Sequence, residues 1–283
     1  ATINIGAFTA STLPWLTAAD GAAPQAIKHI VTKQNAYGGG INCDSFESWF
    51  ENYTALVSFN GMGLVVTNST SFARMFKGCV SLTSITGISG WHAEQATDYS
   101  EMFAGCSSLE SIDLSVFVTA DKPASGTGTV TRNRTNMLAG MTSLKQIRLG
   151  TMTSLVDTGL DAISSRIDKL GVWDAEDKVA DEEARWSGTS SQLIARYPVT
   201  GGVSINNALI TDIIDYIFHP KGTFDSNNKV NWDFNTTTST LTIFASDSAL
   251  PTETLVTETV MPWLDAIDKN TVKYVSFLTQ NTS

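Results

Sequence analysis

The apolar positions in the first half of the chain recur as a block. Residues 44–59 read DSFESWFENYTALVSF, 70–85 TSFARMFKGCVSLTSI, 97–112 TDYSEMFAGCSSLESI and 132–147 RNRTNMLAGMTSLKQI. Aligned without gaps, they put Trp49, Met75, Met102 and Met137 in one column, with Phe50, Phe76, Phe103 and Leu138 in the next. Leu56, Leu82, Leu109 and Leu144 follow, then Phe59, Ile85, Ile112 and Ile147. Gly78, Gly105 and Gly140 share a column in which the first copy has Asn52. Starts at 44, 70, 97 and 132 lie 26, 27 and 35 residues apart, and the longer last step holds the polar stretch KPASGTGT, a predicted surface loop.

Each copy predicts a short helical turn carrying the aromatic or Met pair, closed in the last three by Gly-Cys or Gly-Met. The following L-x-S-I-x-L stretch alternates with period two, as a half-buried strand does. One turn and one strand cannot bury their own apolar face, so neighbouring copies must cover each other. The strands are then expected to stack as one parallel sheet, spaced by about 4.8 Å. Polar strand positions expected to face outward are Ser58, Ser84, Ser111 and Gln146, with Thr83, Glu110 and Lys145 beside them in opposite phase.

The pattern M-F-x-G-C-x-S-L-x-S-I-D-L resembles the BspA-like repeats of bacterial surface proteins, relatives of leucine-rich repeats with a period of about 26 residues. The copy MFAGCSSLESIDLSVF at 102–117 is nearest the pattern, and MFKGCVSLTSI at 75–85 is next. The copy at 49–59 departs in both Met and Gly-Cys, and that at 137–149 has Leu138 and Met141 where Phe and Cys are expected. The likeness covers roughly residues 44–150. It implies an α/β repeat, a right-handed leucine-rich-repeat-like solenoid with a parallel sheet, flanked by a β-rich C-terminal segment. It also implies a cell-surface, host-interacting protein of a kind mostly lacking an identified catalytic site. The segment W-x-G-T-S-x-x-L-I after the repeats is similar to the one that follows the array in related surface proteins.

A second self-similarity links the ends. TINI at 2–5, LPWL at 13–16 and IKHIV at 27–31 recur as TLTI at 240–243, MPWL at 261–264 and VKYVS at 272–276. Pro14 and Pro262 suit the first turn of a short helix, where a missing N–H costs nothing, and Trp15 and Trp263 would staple that helix to the next strand. The expected domains are therefore 1–199, the repeats with an N-terminal cap, and 200–283, a β-rich segment that opens a second cap-like module. On this reading the natural protein is longer and carries tandem modules, and the start at Ala1 without a signal-like stretch marks a processed product or an excised fragment.

Composition narrows the function classes. Net charge is −10 with pI near 4.7, which argues against a nucleic-acid partner. Only 16% of residues are charged while 65 are Ser or Thr, so hydroxyls replace ion pairs over much of the surface. No apolar run approaches the roughly 20 residues of a membrane span. A secreted or cell-surface location is expected.

Catalytic and cofactor chemistry find little footing. G-x-S-x-G, H-E-x-x-H, a P-loop and a helix-opening G-x-G-x-x-G are all missing from the sequence. His29, His92 and His219 have no metal-ligand spacing. Asp98 and Asp113 lie at solvent-facing repeat positions, not as a facing pair of acids. The acidic run Asp174, Glu176, Asp177, Asp181, Glu182 and Glu183 lacks the spacing and Gly of an EF-hand loop and reads as a solvated face, with Trp173 and Trp186 beneath it. Neither cofactor nor metal is expected. Cys79 and Cys106 share a column with Met141, which favours small buried side chains over a redox pair, and leaves Cys43 as an outlier. N-x-S/T matches at Asn52, Asn68, Asn133, Asn235 and Asn281 are of the kind a Ser/Thr-rich chain produces by chance.

What remains is a binding surface. The ligand-contacting candidates are Ser84 and Ser111 as flat hydroxyl positions, and Trp91 and Tyr99 as aromatic anchors if exposed, interior packing being the alternative for each. The expected role is a non-catalytic adhesin recognising a host or cell-surface protein or glycan. The alternatives are a structural spacer of a surface fibre or stalk and, behind it, a carbohydrate-active enzyme or accessory glycan-binding module.

Overall fold

The computed structural model describes residues 26–34, 40–91, 93–123, 129–160, 171–175, 187–199, 204–205, 208–209, 214–223, 230–235, 239–245 and 272–278. The segments 2–5, 13–16 and 261–264 of the expected caps lie outside the described residues, as do most of the acidic run and Trp186.

The turns of the four copies are the most regular part of the fold. Ser48, Arg74, Glu101 and Asn136 are left-handed, with φ of 57°, 57°, 53° and 57°, and four residues on so are Asn52, Gly78, Gly105 and Gly140. A left-handed residue at every fourth position forbids a continuous α-helix. The N–H groups instead alternate. Trp49, Glu51 and Tyr53 donate within the copy, to the carbonyls of Phe46, Ser48 and Phe50. Phe46, Ser48, Phe50 and Asn52 donate across to Ser71, Ala73, Met75 and Lys77 of the next copy, at 2.7 to 2.9 Å. The same cross-copy bonds recur from Phe76 to Met102 and from Phe103 to Met137. Ser45, Ser71, Asp98 and Asn133 open the turns, each taking the N–H of the residue two further on with its side-chain oxygen, and their backbones form parallel bridges. Ser, Asp and Asn suit this place because a short side-chain oxygen mimics the turn's own carbonyl.

The strands are short in the repeats and long only after them. In chain order they are β1 (His29–Val31), β2 (Ile41–Asn42), β3 (Ser58–Asn60), β4 (Leu64–Val65), β5 (Ser84–Thr86), β6 (Ser111–Asp113), β7 (Lys122–Pro123), β8 (Thr129–Val130) and β9 (Gln146–Leu149). Then come β10 (Gly171–Ala175), β11 (Ser187–Gly188), helix α1 (Ser190–Arg196), β12 (Ser204–Ile205), β13 (Ala208–Leu209), β14 (Ile214–Thr223), β15 (Val230–Asn235), β16 (Thr240–Ala245) and β17 (Tyr274–Leu278). Helix α1 opens with a complete capping box, Thr189 with Gln192.

These elements overturn the expected α/β solenoid with one parallel sheet. The described strands fall into five separate sheets, and α1, the one helix among the described residues, lies outside the repeats. β1, β3 and β5 pair in parallel, but β5 does not pair with β6. β6 pairs with β9, and β9 turns its other edge antiparallel to β14, in a sheet that runs on through β10, β15, β16 and β17. Two physical causes account for this. The turns send every second N–H to a neighbouring copy, so no helix forms on that side. The period-two stretches supply only three or four paired residues each, and the ten-residue β14 draws β9, and through it β6, into its own sheet.

The inward columns make the core. The Trp/Met, Phe/Leu and Leu columns are all nearly fully buried. Two aromatic rows run across the copies: Phe46, Phe72 and Tyr99 with centroids 5.6 and 5.7 Å apart, and Phe50, Phe76 and Phe103 at 5.6 and 5.7 Å. The thiols of Cys79 and Cys106 donate to the carbonyls of Phe50 and Phe76 one copy back, at 3.1 and 3.2 Å. Burial pushes Cys79 up to about 12 and Cys106 higher still. All three cysteines are free and buried. They act as small core side chains.

The long insertion between the third and fourth copies is tied down by two buried arginines. Arg132 donates to the carbonyls of Ala96, Ala120 and Glu94. Arg134 reaches the carbonyls of Val156, Thr119 and Arg132 and pairs with Asp121 at 3.0 Å.

Candidate functional site

The break between β5 and β6 opens a cleft. On the turn side the second and third copies stay bonded, Phe76 N–H to Met102 at 2.9 Å and Gly78 N–H to Ala104 at 2.8 Å. On the strand side they part. The result is a wedge of about 160 Å³, floored by Ile85, Ile88, Phe103 and Ile112 and rimmed by Ser111, Asp113, Gln146, Arg148 and Asp215.

Sheet register assembles the rim. Asp113, Arg148 and Asp215 are successive partners across β6, β9 and β14, and Ser111 is the partner of Gln146. Arg148 Nη2 lies 3.4 Å from Asp215 Oδ2, and Gln146 Nε2 is 3.5 Å from Asp215 Oδ1. Asp113 Oδ1 is occupied by the N–H and hydroxyl of Ser115, which leaves its other oxygen for a ligand. A carboxylate, a guanidinium and an amide side by side offer donors and acceptors in pairs, over an apolar floor. That arrangement fits vicinal hydroxyls with a C–H face, or an extended peptide.

The four sequence candidates separate into two kinds. Ser84 on β5 and Ser111 on β6 are exposed, on opposite sides of the break. Trp91 is 2% exposed and Tyr99 0%, so neither reaches solvent as an anchor. Trp91 donates from Nε1 to the Gly61 carbonyl at 3.2 Å, and a Cβ on Gly61 would strike its ring. The Tyr99 hydroxyl donates to Ala93, and burial raises it well above the usual phenol range. Arg148 and Asp215 escaped the sequence reading, although Gln146 and Asp113 did not. The only sequence signal for Arg148 is its place two residues after Gln146 in the strand's alternation. Asp215 joins only through antiparallel pairing with a distant strand.

Other candidates do not build a site. His29 Nδ1 lies 2.8 Å from Ser58 Oγ on the exposed face of β1 and β3. A nucleophilic pair needs a third group orienting the base, and among the described residues none bonds His29. His92 and the side chain of His219 lie outside the described residues. Among those described, no group of three or more His, Cys, Asp and Glu is placed to hold a metal ion. A larger hollow of about 330 Å³ lies against the first copy, walled by Ile27, Ile30, Ile41, Trp49, Phe50 and Tyr53. Its Thr32 hydroxyl is consumed by Asn60 and Gly63, so it lacks the cleft's convergent polar set.

No helix among the described residues is long and apolar enough to cross a membrane. No family model matches the chain, and neither a curated protein nor a solved structure matches it.

Proposed function

We propose that this protein is a non-catalytic recognition module of a bacterial cell surface, related to the BspA-like repeat proteins its copies resemble, and that it binds a glycan. The observation that carries the glycan reading is the wedge between β5 and β6, where Asp113, Gln146, Arg148 and Asp215 rim an apolar floor. Paired planar side chains recognise adjacent hydroxyls bidentately, and the floor takes the less polar sugar face. The extracellular location rests on the resemblance of the copies to surface-protein repeats.

The test is a glycan and mucin array followed by calorimetry on the best binder. Arg148→Ala and Asp215→Asn should each weaken binding by about tenfold or more while leaving the melting temperature nearly unchanged. Absence of any binding at tens of micromolar would overturn the reading in favour of the spacer. Turnover of an array member would overturn it in favour of an enzyme. The spacer reading has its own support in the cross-copy bonding of every turn, which resists extension along the repeat axis.

A further inference from the structure

The copies announce how one strand receives the next. Where β3 begins, the N–H groups of Val57 and Ser58 both reach the Lys28 carbonyl, at 2.7 and 3.2 Å. Thr83 and Ser84 share the Val57 carbonyl, and Lys145 and Gln146 share that of Glu110. At β17, far outside the repeats, Lys273 and Tyr274 share the Ser239 carbonyl in the same way, at 2.8 and 3.2 Å. β17 also runs parallel to β16, while β14, β15 and β16 pair antiparallel. It therefore joins its neighbour as a repeat strand does.

The sequence sets β17 in correspondence with β1. VKYVS at 272–276 matches IKHIV at 27–31, placing Lys273 where Lys28 stands, Tyr274 at His29 and Val275 at Ile30. In the first half, the Lys28 carbonyl is occupied by β3, and Ile30 continues into a row through Phe59 and Ile85. In the second, the row from Phe234 (4% exposed) through Leu241 (3%) ends at Val275, which is 53% exposed. Among the described residues, no strand pairs with the far edge of β17.

We infer that the far edge of β17 is a docking edge for one further repeat copy of the 44–66 type, received in parallel as β1 receives β3. The occupant is specified by chemistry. It presents polar, apolar, polar residues in the manner of Ser58, Phe59 and Asn60, with the apolar one covering Val275. This surface is separate from the cleft between β5 and β6, and its test does not depend on ligand binding there.

The experiment extends the chain so that Phe277 is followed by a duplicate of residues 33–160, since Phe277 matches Thr32 in the alignment. Amide hydrogen exchange is then compared with the unextended protein. Exchange at residues 274–277 should slow by about tenfold or more in the extended chain. Val275→Asp should abolish that protection in the extended chain, yet leave the unextended protein's melting temperature unchanged, because Val275 is already exposed there. A duplicate that folds without protecting β17, one that stays unfolded, or protection that survives Val275→Asp would each overturn the inference.

Discussion

The two sides of the repeat copies obey different rules. On the turn side, the backbone bonds run from the first copy to the fourth without interruption. On the strand side, the parallel pairing stops at β5 and resumes at β6 as part of another sheet. Both sides carry the same repeated sequence columns, so repetition alone does not produce continuity. The turns are continuous because they have no alternative. Left-handed residues at every fourth position leave half of their N–H groups facing the next copy, and a buried N–H must find a partner. A three-residue strand is under less compulsion, and it yields to a longer neighbour such as β14.

That contrast predicts where substitutions should hurt. The largest effect belongs to Phe76, whose ring touches Phe50, Phe59 and Phe103 at centroid distances of 5.6, 4.9 and 5.7 Å. Phe76→Ala should cost about 4 kcal/mol, measured by denaturant unfolding. Ile85→Ala, on the partly buried strand side, should cost roughly 1 to 2 kcal/mol. Equal losses would erase the distinction between the two sides.

Next comes Arg132, the anchor of the insertion. Its guanidinium satisfies three carbonyls from two chain segments, so Arg132→Ala should destabilise by about 3 kcal/mol. Arg132→Lys should recover little, because an ammonium does not present the planar fork that reaches all three. A fully stable lysine variant would show that the insertion is held by something other than this fork.

Much of the core, but little of the architecture, could be read in the sequence. The Met, Phe and Leu columns were legible because burial selects apolar residues at a fixed period, and the Cys79, Cys106 and Met141 column likewise. The turn conformation was not. Arg74 and Glu101 are left-handed without belonging to the residue types that favour it, so the stretch looked like a helical turn. The Ser45, Ser71, Asp98 and Asn133 column went unread in the sequence, and its turn-opening role shows only in the bonds. Of the cleft, Ser111, Asp113 and Gln146 sat on readable strand positions. The break that creates it did not, because β5 and β6 carry the same Ser-Ile pair. Trp91 and Tyr99 illustrate the opposite difficulty. Each finds a carbonyl inside for its polar tip, so of the two places the sequence allowed them, anchor or core, both take the core.

A smaller effect tests the turn geometry itself. Gly105 has φ +76°, and an added Cβ would meet Gly78 only at 3.6 Å, an ordinary contact. Gly105→Ala should therefore cost conformational energy alone, about 1 to 2 kcal/mol. Gly105→Asn should cost less than the alanine, since Asn52 already holds this place in the first copy with φ 60°. An asparagine variant less stable than the alanine one would mean that crowding, not handedness, governs the column.

The smallest effects belong to the outward strand positions, and they bear most directly on function. Ser84 and Ser111 are both exposed, and neither side chain is needed for the bonds that hold β5 and β6. Ser84→Lys and Ser111→Lys should each change stability by no more than about 0.5 kcal/mol. Their consequences for binding should differ. Ser111 lines the cleft and Ser84 does not, so Ser111→Lys should block a ligand in the wedge, while Ser84→Lys leaves it bound. Stability measured by denaturant and affinity measured by calorimetry on the same two variants separate the cases. If Ser84→Lys abolished binding and Ser111→Lys did not, recognition would lie on the continuous β1, β3 and β5 face, and the break would be a by-product of the strands' divided allegiance.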